Sequence, residues 1–223
     1  MFEKIKYIFI KKIYADQNDA KVVKLSLCEL LSNLEHGAKG LNIGSGRTRI
    51  DPRIKNMEIK GGDGIDIVGS VEAIPSDDNV FDLVITQEVL EHVKSPQRAV
   101  NEIYRVLKPN GTAYIQLPFI IGFHPCPNDY WRFTREGIIE LVISAGFSVK
   151  EATMSVGPAV GFYRIAVEFF AVLLSAFYGR LYKPAKLLFS IILYPVKWLD
   201  PFMQRSAESK RIAGGYFVVC RKG

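Results

Sequence analysis

A chain of 223 residues that is 48% hydrophobic can bury one sizeable core, so one domain with an elaboration is expected. Its net charge of +6 is unevenly placed: residues 180–223 hold nine Lys/Arg against two acids, residues 1–14 hold four lysines against one acid, and the centre is mildly acidic. A nucleic-acid binder spreads basic charge over its active domain, so this pattern argues against nucleic acid and suits an anionic surface touched by both ends. Solvated lysines with no partner are the plain alternative.

Three distant cysteines, Cys28, Cys126 and Cys220, argue against a disulfide frame or a zinc site and fit a reducing, cytoplasmic compartment. His36, His92 and His124 have no metal-ligand spacing, so no metal is expected. The apolar run "YIFI" is far shorter than a signal-peptide core.

In chain order, "IKYIFIKKIY" and "AKVVKLSLCELLSNL" are predicted helices, the second with an amphipathic repeat. Strands are predicted at "GLNIG", "NMEIK", "IDIVG", "FDLVIT", "TAYIQL", "FSVKEATM" and "GYFVVCR", short apolar runs suited to burial on both faces. Between the fourth and fifth, Ser95 is a predicted N-cap, Pro96 fits a first turn, "AVNEIYRVL" is periodic and Pro109-Asn110-Gly111 stops the helix. Another helix starts at Thr134 and ends at Gly146. Buried strands linked by helices predict an α/β fold with a doubly wound, Rossmann-like, mostly parallel sheet.

Ligands of such sheets sit beyond the carboxyl ends of the strands. Gly44, Ser45 and Gly46 follow the first strand, where missing side chains let backbone approach a ligand. Glu58 ends the second, and its carboxylate can accept two ribose hydroxyls. Ser70 and Val71 follow the third; Gln87 and Glu88 follow the fourth. A single glycine turn is most often just a turn, and the ordered set carries more weight.

The segments "LNIGSG", "AIPSDDNVFDLVITQEVLEHV" and "AVNEIYRVLKPNGTAYIQLP" resemble the class I S-adenosylmethionine-dependent methyltransferases, over Gly40 to Met154 plus a last strand near 215–222. The resemblance implies seven strands with the last antiparallel, and S-adenosylmethionine as cofactor. It also implies that Gly44 and Gly46 pass beside the methionine part, Glu58 holds the ribose, and Ser70 and Val71 flank the adenine. Three features depart from the family. Asn42 stands where an acidic residue is usual, and a third glycine is missing near Thr48. Nine residues, Pro52 among them, separate Gly46 from Asn56, where a crossover helix of a dozen or more is normal. "GGDG" joins the second and third strands, and four residues reach at most about 14 Å. Loops are therefore expected in place of the first two crossover helices, with the cofactor more exposed on that side.

Methyl transfer needs a nucleophile held in line with the methyl carbon, and an aliphatic hydroxyl benefits from a general base. No "NPPY"-type motif follows the fourth strand, which lowers the expectation of amide or nucleobase nitrogen. "PFIIGFHPCPNDYWRFT", after the fifth strand, resembles a stretch of some type 11 methyltransferases, several of which act in glycan or lipid-linked pathways. His124 is the candidate base and Asp129 its orienter, with His92 a second candidate; Tyr130 and Arg132 are candidates to bind substrate. Alternatively Asp129 and Arg132 pair to brace the loop, and Trp131 and Phe133 anchor in the core. The function expected is methylation, most simply at oxygen, of a small-molecule, glycan or lipid-linked acceptor. The alternative is a non-catalytic, cofactor-binding partner subunit.

The organisation expected is N-terminal helices over 1–36, a core over 37–154 and 214–223, and a hydrophobic helical insertion over 155–213. Two helices are predicted in the insertion, separated by Lys183-Pro184, the second breaking at Pro195. Neither holds the roughly 18 consecutive apolar residues of a membrane span. Both are too apolar for an ordinary surface, so residues 158–202 are expected to rest on a membrane surface, to meet a second copy or the substrate, or to enter the membrane as a re-entrant segment.

Overall fold

The computed structural model describes Asn18, residues 20–46 and residues 49–223. The predicted helix over "IKYIFIKKIY" lies outside them. Seven strands form one sheet in the order β3-β2-β1-β4-β5-β7-β6. They are β1 (Gly40–Ile43), β2 (Ile54–Glu58), β3 (Ile67–Val68), β4 (Phe81–Gln87), β5 (Leu107–Pro118), β6 (Phe147–Val156) and β7 (Gly215–Lys222). Each falls on one of the seven predicted runs.

The pairs β1–β2, β1–β4, β2–β3 and β4–β5 are parallel. β7 runs the other way: Cys220 Sγ reaches Ala113 O, whereas Phe119 N–H donates to Gly214 O. The continuous apolar runs are explained by burial on both faces, with Leu41, Ile54, Leu83, Ile85 and Ile115 all fully buried.

The chain divides into two compact units. The larger, 25–118 with 124–153 and 216–223, holds most of the sheet. Its helices are the later part of α1 (Lys21–Ser32), then α2 (Pro96–Val106) and α3 (Arg135–Ile143). α2 buries Ala99, Val100, Ile103 and Val106 along one stripe. Ser95 occupies its N-cap position, but makes no side-chain cap bond; its N–H instead donates to Glu72 Oε1 at 3.0 Å. Thr134 does cap α3, accepting from Gly137 N–H.

Among the described residues no helix links β1 to β2 or β2 to β3, as the short spacings require. Polar clamps take the place of helix packing there. Arg53 donates to Leu34 O and Leu31 O, both at 2.8 Å, satisfying carbonyls at the end of α1, and pairs with Asp51. Arg49 donates to Ile54 O and to both oxygens of Asp66, whose carboxylate also accepts from Asn56 N–H at 2.7 Å.

The smaller unit comprises 119–123, 154–215 and, at its start, residues 20–24 among those described. It is built on α4 (Pro158–Ser175) and α5 (Tyr182–Ile192), followed by short 3-10 turns and α6 (Asp200–Met203). Phe170 stacks on Phe189, and Glu168 joins Tyr182 and Lys186 between the helices. The predicted separator is misplaced: Lys183 and Pro184 lie in the first turn of α5, where proline is tolerated, and the break falls at Phe177 to Leu181. The second helix does end before Pro195. α4 is 18 residues long with mean hydropathy 1.5, enough to cross a membrane by length and composition despite Arg164 and Glu168; a third of it is buried. Phe169, Phe177, Trp198 and Phe202 stand exposed on this unit.

Candidate functional site

A cleft of about 750 Å³, its open mouth included, lies at the carboxyl edge of β1 to β4. It is lined by Gly44, Glu58, Ser70, Val71, Glu88 and His92 from the residues singled out in the sequence, with Ile43, Met57, Ile59, Val89 and Cys126 beside them. The sheet builds this edge directly, because parallel neighbours end together. Gly44 (φ +67°) and Gly46 (φ +57°) need the left-handed region, and a Cβ on Gly44 would lie 2.2 Å from Val89 Cγ2. Glu88 has φ +57° without being glycine, held by its N–H bond to Gln116 O at 3.0 Å. A strained residue beside a ligand edge is a frequent functional signature.

The other candidates sit differently. Asn42 is buried within β1, level with Asn56 and Ile85 of its neighbours. Gln87 turns its amide to Gln116, which also accepts from Tyr114 OH. Ser45 bonds Gly46 O, and Gly46 N–H donates to Glu58 Oε1 at 2.6 Å. None of these four is part of the cleft lining.

The residues on the cleft fit S-adenosylmethionine. A carboxylate ends β2, where a vicinal diol would be gripped, and Ile59 and Val71 offer apolar walls for a purine beside Ser70. The glycine turn after β1 leaves backbone bare for an amino-acid moiety. One bond competes: a diol on Glu58 shares the carboxylate with Gly46 N–H.

Behind the cleft, the loop after β5 is tied to a 3-10 turn, Leu90–His92, that follows β4. Tyr130 and Trp131 N–H both donate to Glu91 O, at 2.8 and 3.3 Å; Trp131 Nε1 donates to Val93 O; His92 Nδ1 lies 2.5 Å from Asn128 O. These contacts bring His92 and His124 into an edge-on pair, ring centres 5.3 Å apart.

Asp129, 1% exposed at its side chain, takes Arg132 through both oxygens at 2.6 and 2.7 Å and accepts His124 N–H at 2.8 Å. The Arg132 guanidinium holds its carboxyl down at about 2. The bracing alternative is the geometry observed for this pair, with both Arg132 Nη atoms on the Asp129 carboxylate. Asp129 Oδ2 also stands 3.5 Å from His124 Nδ1, so the orienting contact is present as well. Tyr130 is exposed, and Trp131, 44% exposed, is held by its indole N–H, not by core packing as that alternative supposed.

One residue was missed by the sequence reading. Glu91 is fully buried, and neither carboxylate oxygen has a hydrogen-bond partner among the described residues. His92 Nε2 and His124 Nε2 stand 3.6 and 3.9 Å from its Oε1. An acid in "LEHV" suggests solvent; its neighbour His92 and the distant His124 after β5 were the available signal.

Residues 45–115 match the family described as a methyltransferase domain. That match, together with the fold, supports a class I S-adenosylmethionine-dependent methyltransferase. It is 38% identical over 63 residues to the ubiquinone/menaquinone biosynthesis C-methyltransferase UbiE of Ruegeria sp. (strain TM1040), which covers 28% of this chain and 23% of that protein. It is 29% identical over 131 residues to the glycine/sarcosine/dimethylglycine N-methyltransferase of Actinopolyspora halophila, covering 56% and 22% respectively. The chain thus spans under a quarter of the length of these two curated relatives. Phosphoethanolamine N-methyltransferase 2 of Haemonchus contortus, solved with S-adenosyl-L-methionine, superposes with TM-score 0.57 at 15% identity, over 95% of this chain and 55% of that one. The [4+2]-cyclase SpnF superposes with TM-score 0.55 at 18% identity, over 93% and 84%. Likeness at that identity speaks for the methyltransferase fold, and the acceptor must be argued from the site.

Proposed function

We propose that this methyltransferase moves a methyl group from S-adenosylmethionine to an oxygen of a small-molecule, glycan or lipid-linked acceptor, in the cytoplasm. The observation that carries the oxygen is the Glu91–His92–His124 cluster bordering the cofactor cleft: a hydroxyl acceptor must lose a proton, and these are the proton-handling groups beside it. When bound, S-adenosylmethionine supplies an electrophilic methyl group. Glu58 grips its ribose, the Gly44 turn passes its amino-acid part, and His124 is the candidate to take the acceptor proton.

The test is single-turnover transfer of labelled methyl to panels of hydroxyl-, amine- and carbon-acid-bearing compounds. Label on hydroxyl acceptors, reduced about 100-fold or more by His124→Ala, is the expected result. Transfer only to amines or carbon contradicts the oxygen. Cofactor binding without transfer to any panel favours the non-catalytic partner subunit, a reading the family match does not support.

The lipid-linked option is supported by the exposed Phe169, Phe177, Trp198 and Phe202 of the smaller unit, with Arg180, Lys183 and Arg205 in the same segment. Flotation of the full chain with anionic but not neutral liposomes is expected. A doubled mass in sedimentation without flotation would assign residues 158–202 to a homodimer instead.

A further inference from the structure

We infer that Glu91, His92 and His124 form a binding site for one divalent first-row transition cation, of the Zn²⁺, Mn²⁺ or Co²⁺ kind. One donor atom from each residue lies within 4.8 Å of the other two. Spacing along the chain gives no metal-ligating set; the fold brings together His92 and His124, 32 residues apart.

The first argument is the buried carboxylate. An ionised carboxylate withdrawn from water and left without a hydrogen bond is costly, and such groups are paired or coordinate metals. Glu91 is fully buried with both oxygens unpartnered, and what faces it is two ring nitrogens beyond hydrogen-bond reach.

Orientation of the rings is the second. His92 Nδ1 is engaged by Asn128 O, which fixes the proton on Nδ1 and leaves Nε2 bare toward Glu91. His124 Nδ1 lies 3.5 Å from Asp129 Oδ2, and Arg132 and His124 N–H hold that carboxylate in place. A carbonyl or carboxylate behind each ring is the outer-shell arrangement of metal-ligating histidines, which sets tautomer and direction. Arg132 Nη2, 3.3 Å from the same Nδ1, competes for it, and a cation on Nε2 selects the tautomer that faces Asp129.

Distances agree with the same reading. Metal–ligand bonds of about 2.0–2.2 Å place neighbouring donors about 3.0–3.5 Å apart, so each atom need move inward by less than about 1 Å. Hydrogen bonds from Tyr130, Trp131 and His92 already fasten the two loops together. Two imidazoles and one carboxylate suit first-row transition ions better than Mg²⁺ or Ca²⁺, and leave open positions.

What those positions do rests on the proposed function. His92 lines the cofactor cleft, so a hydroxyl on the cation would sit beside the methyl donor with its pKa lowered. His124 would then act as a ligand and not as a free base.

The test is titration of the chelator-treated full chain with Co²⁺, followed by ligand-field absorption and calorimetry. One Co²⁺ per chain is expected, with weakening of at least tenfold in Glu91→Gln and in His124→Ala. His36→Ala, remote in the sequence from the cluster, controls for surface histidines and is expected to bind as the parent does. Circular dichroism identifies a variant that fails to fold, and His124→Asn then replaces it. No Co²⁺ bound by the folded parent, or equal binding by parent and both folded variants, overturns the site. S-adenosylhomocysteine binding is measured in parallel: its presence without Co²⁺ binding overturns this inference alone, and Co²⁺ binding without it overturns the proposed function alone.

Discussion

The two halves of the sheet solve the same problem differently. Around β4 and β5, α2 closes the crossover by burying Ala99, Val100, Ile103 and Val106, and Tyr114 stacks on Phe217 at 4.9 Å. Around β1, β2 and β3 the described residues include no crossover helix, and Arg53, Arg49, Asp66 and Asn56 hold the loops by charged and backbone hydrogen bonds. The cofactor cleft is built mostly on that polar-clamped half. The contrast teaches that a ligand edge needs the strand ends in register more than it needs the helices behind them, and that directional bonds can keep register where buried area is lacking.

The sharpest way to break this comparison is in the packed half. Ile103→Ala should cost about 2–5 kcal/mol of stability by leaving a cavity, seen as a lower denaturant midpoint, while cofactor affinity of the folded protein stays unchanged. In the clamped half, Asp66→Ala leaves Asn56 N–H and Arg49 Nη2 without this acceptor. It should cost about 1–3 kcal/mol and also weaken S-adenosylhomocysteine binding. An equal loss of affinity from Ile103→Ala would remove the distinction.

A smaller effect sharpens it through pH. Hydrogen bonding to Arg53 lowers Asp51 from 3.8 to about 2. Because the folded value is depressed, the unfolded chain takes the proton first, so this stabilisation is full well above pH 3.8 and is lost as pH falls toward 2. Denaturation from pH 6 to 2.5 should show the parent losing more stability than Asp51→Asn, and parallel curves would contradict that.

The fold was largely legible in the sequence because both-face burial writes continuous apolar runs, and counting residues between them exposed the two missing helices. Lys183-Pro184 misled because proline stops a helix only away from its first turn, and Ser95 because position alone does not make a side-chain cap. The cleft residues Gly44, Glu58, Ser70, Val71 and Glu88 were legible from their places after strands. Glu91 was not: its burial and its facing histidines depend on Tyr130 and Trp131, 39 and 40 residues later, folding back onto its carbonyl.

The most direct test of the central claim, that loop-linked strands suffice for a working cofactor cleft, is calorimetric titration with S-adenosylhomocysteine of the parent and of Glu58→Ala. Micromolar binding by the parent, weakened about 10- to 100-fold by loss of the charged acceptor, is the result predicted. No binding by the folded parent, or equal binding by both, would contradict it.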